Sequence, residues 1–273
     1  MEVSSIMTPD PLTVDVQSTR EDALRLMDEH DVRHVPVVED GRVVGVLSDR
    51  DLFEAIGDLT AEAERALAER RRTVRELMHA PPVTASPEDS VVTISVDLVL
   101  RGIGCLPVLW HGVLVGIVTE FDLLKAYLRA CQEGERLAEL DPPVRERSTP
   151  EPLTLGLDAS VAQARELLRS THIRHLPVVE DGRLVGVVSD RDVRRARGRG
   201  VPDTESVEAI MARDPLSVGP GELLSSAAAV MNEHKISCLP VVQDGRLVAL
   251  MTLTDVLDHC MNTLRESERS ASG

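Results

Sequence analysis

The sequence predicts an α/β fold of four β-α-β-β-α repeats, paired into two modules. Three observations carry this expectation. A proline inside an apolar run recurs at Pro36, Pro107, Pro177 and Pro240, each 23 residues after a hydroxyl-bearing residue: Thr13, Thr84, Thr154 and Ser217. The stretch RHVPVVEDGRVVGVLSDRD, ending at Asp51, returns as RHLPVVEDGRLVGVVSDRD, ending at Asp192. Finally, Arg33-His34 matches Arg174-His175, whereas Gly104-Cys105 matches Ser237-Cys238, so repeats one and three are one type and two and four another. A gapless core with connectors of variable length is the mark of one structural unit copied four times.

Each element of the unit has its own local reason. The entrance, PLTV around Thr13, reads as a short strand. Ser18 and Glu21 have the spacing of a capping box, which opens a helix with Ala23, Leu24, Leu26 and Met27 on its inner face. Two apolar runs follow, split by Asp40-Gly41, a strong hairpin signal. Ser48-Asp49-Arg50-Asp51 is then a second Ser-x-x-Asp box that opens another helix. LTAEAERALAERRR (59–72) reads as a helical connector, and the Pro- and charge-rich LDPPVRERSTPEP (140–152) as a linker between halves. The expected repeats are 1–57, 77–131, 145–198 and 210–262, grouped as modules 1–131 and 145–273.

Bulk composition narrows the function classes. With 30 basic and 46 acidic residues the net charge is −16, which argues against a general nucleic-acid or anionic-membrane surface. Aromatics are 1% of the chain, too few for a base-stacking platform. The cysteines, Cys105, Cys131, Cys238 and Cys260, form no C-x-x-C and have no metal-spaced histidine partner. MEVSSIMTPDPLTV lacks a basic end and an apolar run, so no signal peptide is expected, and a reduced cytoplasm fits. No nucleophile–base–orienter set, metal cluster or P-loop stands out, so a non-catalytic protein without catalytic cofactor is expected.

The element order, with its proline-bearing strand, Gly turn and G-h-h-S/T-x-x-D ending, resembles the cystathionine-β-synthase (CBS) domain. The likeness covers nearly the whole chain. In that family two tandem copies pack as a Bateman module whose cleft commonly holds an adenosine compound. Four copies resemble the nucleotide-sensing gamma subunit of AMP-activated protein kinase and stand-alone prokaryotic proteins of two Bateman modules. The resemblance implies a regulatory module for an adenine nucleotide (AMP, ADP or ATP), with S-adenosylmethionine or NAD as further ligands. It implies energy sensing on behalf of a regulated protein and allows a homodimer through the module faces.

It also implies roles for particular residues. Asp51, Asp122, Asp192 and Asp255 would accept the ribose hydroxyls, the task acidic residues perform in dinucleotide folds. Ser48, Thr119, Ser189 and Thr252 stand at helix N-termini, where free N–H groups favour an anion. Thr13, Thr84, Thr154 and Ser217 match the family position that contacts the nucleoside. Arg33, His34, Arg174 and His175 match the position that reaches phosphate. Repeats two and four lack the Arg-His pair, and repeat four has Ala249 where Gly45, Gly116 and Gly186 stand, which weakens a phosphate site built by repeat four.

Plainer readings stand beside these. A lone Ser/Thr-x-x-Asp is a helix cap, a function compatible with binding. The Arg-His pair could be a solvated strand edge kept by a duplication. The arginines of DRDVRRARGRG (190–200) could be a solvated helix end. The alternative function, of another class, is a scaffold with empty clefts.

Overall fold

The computed structural model describes residues 1–54, 72–132 and 141–271. The chain divides into two compact units, Met1–Leu123 and Leu124–Gly273. The architecture is mixed α/β and repeats four times. In repeat one the entrance strand β2 (Val14–Asp15) lies parallel to β3 (His34–Glu39), which pairs antiparallel with β4 (Arg42–Ser48). Asp40 and Gly41 both have positive φ, at 49° and 76°, as a two-residue I′ hairpin turn requires. Repeat two supplies β5 (Cys105–Trp110) and β6 (Val113–Thr119) in the same register. Repeat three supplies β8 (Leu155–Gly156), β9 (His175–Glu180) and β10 (Arg183–Ser189), and repeat four β12 (Cys238–Gln243) and β13 (Arg246–Thr252). Trp110 is thus the last residue of a strand, and the turn proper is His111-Gly112.

Hydroxyls cap the starts of several helices. Helix α1 (Arg20–Glu29) is capped by Thr19, whose Oγ1 accepts from the Asp22 N–H while the Asp22 carboxylate accepts from the Thr19 N–H. The box therefore sits one residue later than the Ser18–Glu21 pair expected from sequence. This register turns Ala23 and Met27 fully into the core, with Leu24 and Leu26 packed at its margin. The connector expected at 59–72 lies almost wholly outside the described residues.

Each repeat opens with a segment that sequence reading overlooked. A single 3-10 turn, Val3–Ser5, Val74–Glu76, Val144–Glu146 or Val207–Ala209, starts with a fully buried valine. These segments cross to the other repeat of the same unit. β1 (Thr8–Pro9) pairs with β6 of repeat two, and His79 of repeat two pairs with Val46 on β4 of repeat one. In the second unit β7 (Thr149–Pro150) joins β13 and β11 (Ala212–Arg213) joins β10. The exchange buries Val74 in the core of repeat one and Val207 in that of repeat three. The stretch 140–152, read as a linker, is from residue 141 onward a folded part of this exchange, with the Val144 N–H donating to Glu222 O at 2.7 Å.

The exchanged strands explain the glycines. A Cβ on Gly45, Gly116 or Gly186 would come within 2.4–2.6 Å of the Sδ of Met78, Met7 or Met211. In repeat four the glycine is Ala249, and the residue two before its strand partner Pro150 is Ser148 rather than methionine. The small serine leaves room for the extra methyl. Ala249 thus stands opposite a Ser-bearing segment, where Gly45, Gly116 and Gly186 stand against methionines.

One cap is supplied from a distance. The helix Leu224–His234 follows Leu223, which has no capping side chain. The Ser225 N–H and Oγ–H instead donate to Asp141 Oδ1 and Oδ2 at 2.9 and 2.5 Å. Asp141→Ala is expected to cost about 1 kcal/mol, the typical value of a lost cap. Chemical denaturation of the full chain checks it.

Candidate functional site

The two ends of the repeated stretch meet because they are the two ends of one hairpin. His34 pairs with Ser48 and His175 with Ser189 in the strand ladders, and Cys105 with Thr119 and Cys238 with Thr252 in the other two repeats. The chain then turns into the next helix. The Asp49 N–H donates to Arg33 O at 2.9 Å, and the Asp190 N–H to Arg174 O at 3.0 Å.

At that corner the same clamp appears four times. The Ser48 N–H and Oγ–H donate to Asp51 Oδ2 at 2.8 and 2.6 Å. Thr119 does the same to Asp122 at 2.9 and 2.8 Å. Ser189 reaches Asp192 at 2.8 and 2.5 Å, and Thr252 reaches Asp255 at 2.7 and 2.6 Å. One carboxylate oxygen is thereby fixed, which sets the direction of the other. Asp122 is buried, whereas Asp51, Asp192 and Asp255 are partly so. Burial pushes the Asp255 carboxyl above its usual range, the Thr252 hydrogen bonds pull it down, and Asp258 adds repulsion.

The histidines point across to the other repeat of their unit. His175 Nε2 lies 3.1 Å from Ser237 Oγ. The His34 ring fills the place a Cβ of Gly104 would take, with Nε2 at 2.1 Å from it. Ser237 and Gly104 hold the position that Arg174 and Arg33 hold in the other repeats, so these contacts join unlike repeats at one locus. In the second unit the Cys238 thiol is pushed up to about 12, first by burial and then by the nearby Asp192 carboxylate. Burial likewise pushes Cys105 to about 12. Both cysteines are buried, as small core residues are.

The entrance hydroxyls, Thr13, Thr84, Thr154 and Ser217, are all exposed. Beside each stands an exposed aliphatic that sequence reading did not single out: Leu12, Val83, Leu153 and Leu216. The same place in each repeat thus exposes an aliphatic side chain beside a hydroxyl. Thr154 lines an open depression of about 640 Å³ together with Asp158, Gln163 and Glu166, and Asp192 is not on its wall. Arg33 is half-buried and Arg174 exposed. In the helix Asp190–Gly198, Arg194 is tied to Asp190 in an ion pair.

One site residue escaped sequence reading altogether. His79 Nε2 stands 2.9 Å from Asp51 Oδ1. It lies 28 residues from Asp51 and reaches it only through the strand exchange. Among the described residues no group of three or more His, Cys, Asp or Glu could hold a metal ion. Among the same residues no helix is long and apolar enough to cross a membrane.

Comparison with known proteins bears on this geometry. A family model described as the CBS domain matches residues 3–58, 74–129, 144–199 and 207–262. The uncharacterized protein MJ1225 of Methanocaldococcus jannaschii is 31% identical over 152 residues, 52% of this chain and 54% of that one. An inosine-5'-monophosphate dehydrogenase of Korarchaeum cryptofilum is 31% identical over 176 residues, 64% of this chain and 33% of the enzyme. The chain therefore spans about half of the first relative's length and a third of the second's. The crystal structure of MJ1225, presented as a proposed archaeal homologue of g-AMPK, matches with a TM-score of 0.78 at 24% identity, covering 95% of this chain and 99% of that one. An uncharacterized conserved protein from Pyrococcus horikoshii matches with a TM-score of 0.66 at 22% identity, covering 95% of this chain and all (100%) of that one. At these identities the structural likeness is one of fold.

Proposed function

This chain belongs to the CBS-domain family, and from that premise we propose that it is a non-catalytic regulatory protein that binds adenine nucleotides in clefts between paired repeats. The observation that carries the reading is the fourfold aspartate clamp, with one carboxylate oxygen anchored by Ser48, Thr119, Ser189 or Thr252. A carboxylate fixed by one oxygen has the other already aimed, which lowers the cost of ordering it on a vicinal diol. Asp51, Asp122, Asp192 and Asp255 are the ribose acceptors in this reading. The exposed pairs Leu12-Thr13, Val83-Thr84, Leu153-Thr154 and Leu216-Ser217 offer apolar surface and a hydroxyl to the nucleoside. Arg33 and Arg174, with His34 and His175 behind them, serve the phosphates, since a guanidinium matches phosphate oxygens in pairs.

The repeats proper are assigned to 1–57, 77–131, 145–198 and 210–262, each with its opening turn at Val3, Val74, Val144 or Val207, and the modules to 1–131 and 145–273. Ligand bridging two repeats favours one arrangement of the module, and a regulated protein reads that shift. The size of the signal is bounded by the difference in affinity between the two arrangements. The setting is the cytoplasm, and a second copy of the chain can join through the module faces.

Thermal unfolding with AMP, ADP, ATP, S-adenosylmethionine and NAD tests the reading. A bound ligand at a hundredfold excess over its Kd stabilises by about 2.7 kcal/mol, a rise of several degrees in midpoint. If none of these compounds raises the midpoint, the nucleotide reading fails and a scaffold with empty clefts replaces it.

A further inference from the structure

The first unit carries a device that the second lacks. Asp51 Oδ2 is committed to Ser48, and Oδ1, the oxygen left for a ribose, accepts from His79 Nε2 at 2.9 Å. A carboxylate only accepts, so the imidazole must donate through this nitrogen. The Asp51 side chain is 9% exposed and the His79 side chain 80% exposed. The aspartate is thus held in place while the histidine is free to swing into water.

The backbone keeps His79 within reach. Its N–H donates to Val46 O at 2.9 Å and its carbonyl accepts from the Val46 N–H at 3.0 Å, two residues before Ser48. The other three exchanged segments have the same register, with Thr8 opposite Ile117, Thr149 opposite Leu250 and Ala212 opposite Val187. None of those side chains is long enough to span the distance His79 covers. Among four equivalent positions, one holds an imidazole, and it lies on the clamp of repeat one.

We infer that His79 is an internal competitor for the ribose at Asp51, so that the first unit's cleft binds more weakly than its own clamp would allow. This rests on the proposed nucleotide reading of the clamp. Binding at Asp51 must break the His79 contact, and the fraction of molecules in which Oδ1 is open scales the observed affinity. Because the histidine is exposed, the competition is modest, worth about two- to fivefold in Kd. The chain thereby carries unequal sites and responds over a wider range of ligand concentration than identical clefts would.

The test uses the full chain with AMP as probe. Asp192→Ala and Asp255→Ala are combined to silence the second unit, and calorimetry reads the first. Adding His79→Thr, the residue found at the matching positions 8 and 149, is expected to tighten AMP about two- to fivefold. His79→Ala should do the same, and the wild-type His79 ring signals should move in NMR as AMP fills the cleft. Unchanged or weaker binding in both variants, with Asp51→Ala still weakening it, overturns the competitor and leaves the nucleotide reading standing. AMP binding by neither the wild-type chain nor any variant overturns AMP as the ligand, and the competitor, argued for AMP, falls with it.

Discussion

Asp192→Ala is expected to weaken AMP binding by the second unit about ten- to a hundredfold. Hydrogen bonds to a charged group contribute about 1.5–3 kcal/mol, which is that range in Kd. Asp192 combines the features the task needs. It is partly buried, anchored by Ser189 at 2.8 and 2.5 Å, and close to Cys238 of the other repeat. Asp192→Asn sharpens the result. If its oxygen stays with Ser189, the amide NH2 replaces the acceptor that the diol needs, so affinity should fall while the helix keeps its start. Calorimetry with AMP measures the loss, and a denaturation midpoint shows that the variant is folded. Affinity unchanged in both variants would remove Asp192 from the site.

The second large effect concerns the fold. Gly186→Ala should destabilise the second unit by about 1–3 kcal/mol, the usual cost of overpacking. The new Cβ would lie 2.4 Å from Met211 Sδ and 3.0 Å from Ala212 O. The sulfur is the nearer obstacle, so the methionine must leave the strand it covers. Met211→Ser in the same chain should recover most of the loss, because Ser148 and Ala249 already form that combination at the equivalent register. A double-mutant cycle by urea denaturation gives the coupling directly. Independent, additive effects of the two substitutions would refute the account.

Much of the unit could be read from the chain. The Asp-Gly turn, the apolar runs and the boxes at Ser48 and Ser189 are local signals, and the structure forms hairpins and helix starts from them. The strand exchange was missed because it joins residues far apart in sequence, such as His79 and Val46. A signal for it did exist: Val3, Val74, Val144 and Val207 each stand ten residues before an entrance hydroxyl. The clamp aspartates were legible by repetition, but the contact between His79 and Asp51 was not, since it exists only once the exchange is known. The box of the first helix was placed one residue early because Ser18 and Thr19 both suit an N-cap, and burial of Ala23 and Met27 decides between them.

Near-identical copies in one chain invite mistaken identity while it folds, since any opening segment can seek any sheet edge. The pair Ser148 and Ala249 works against this. The methyl of Ala249 turns away the methionine-bearing segments of repeats one, two and four, while Ser148 would leave a hole against a glycine edge. By shape, then, the segment of repeat three suits the edge of repeat four better than the glycine edges, and two small side chains bias the sorting of that one segment.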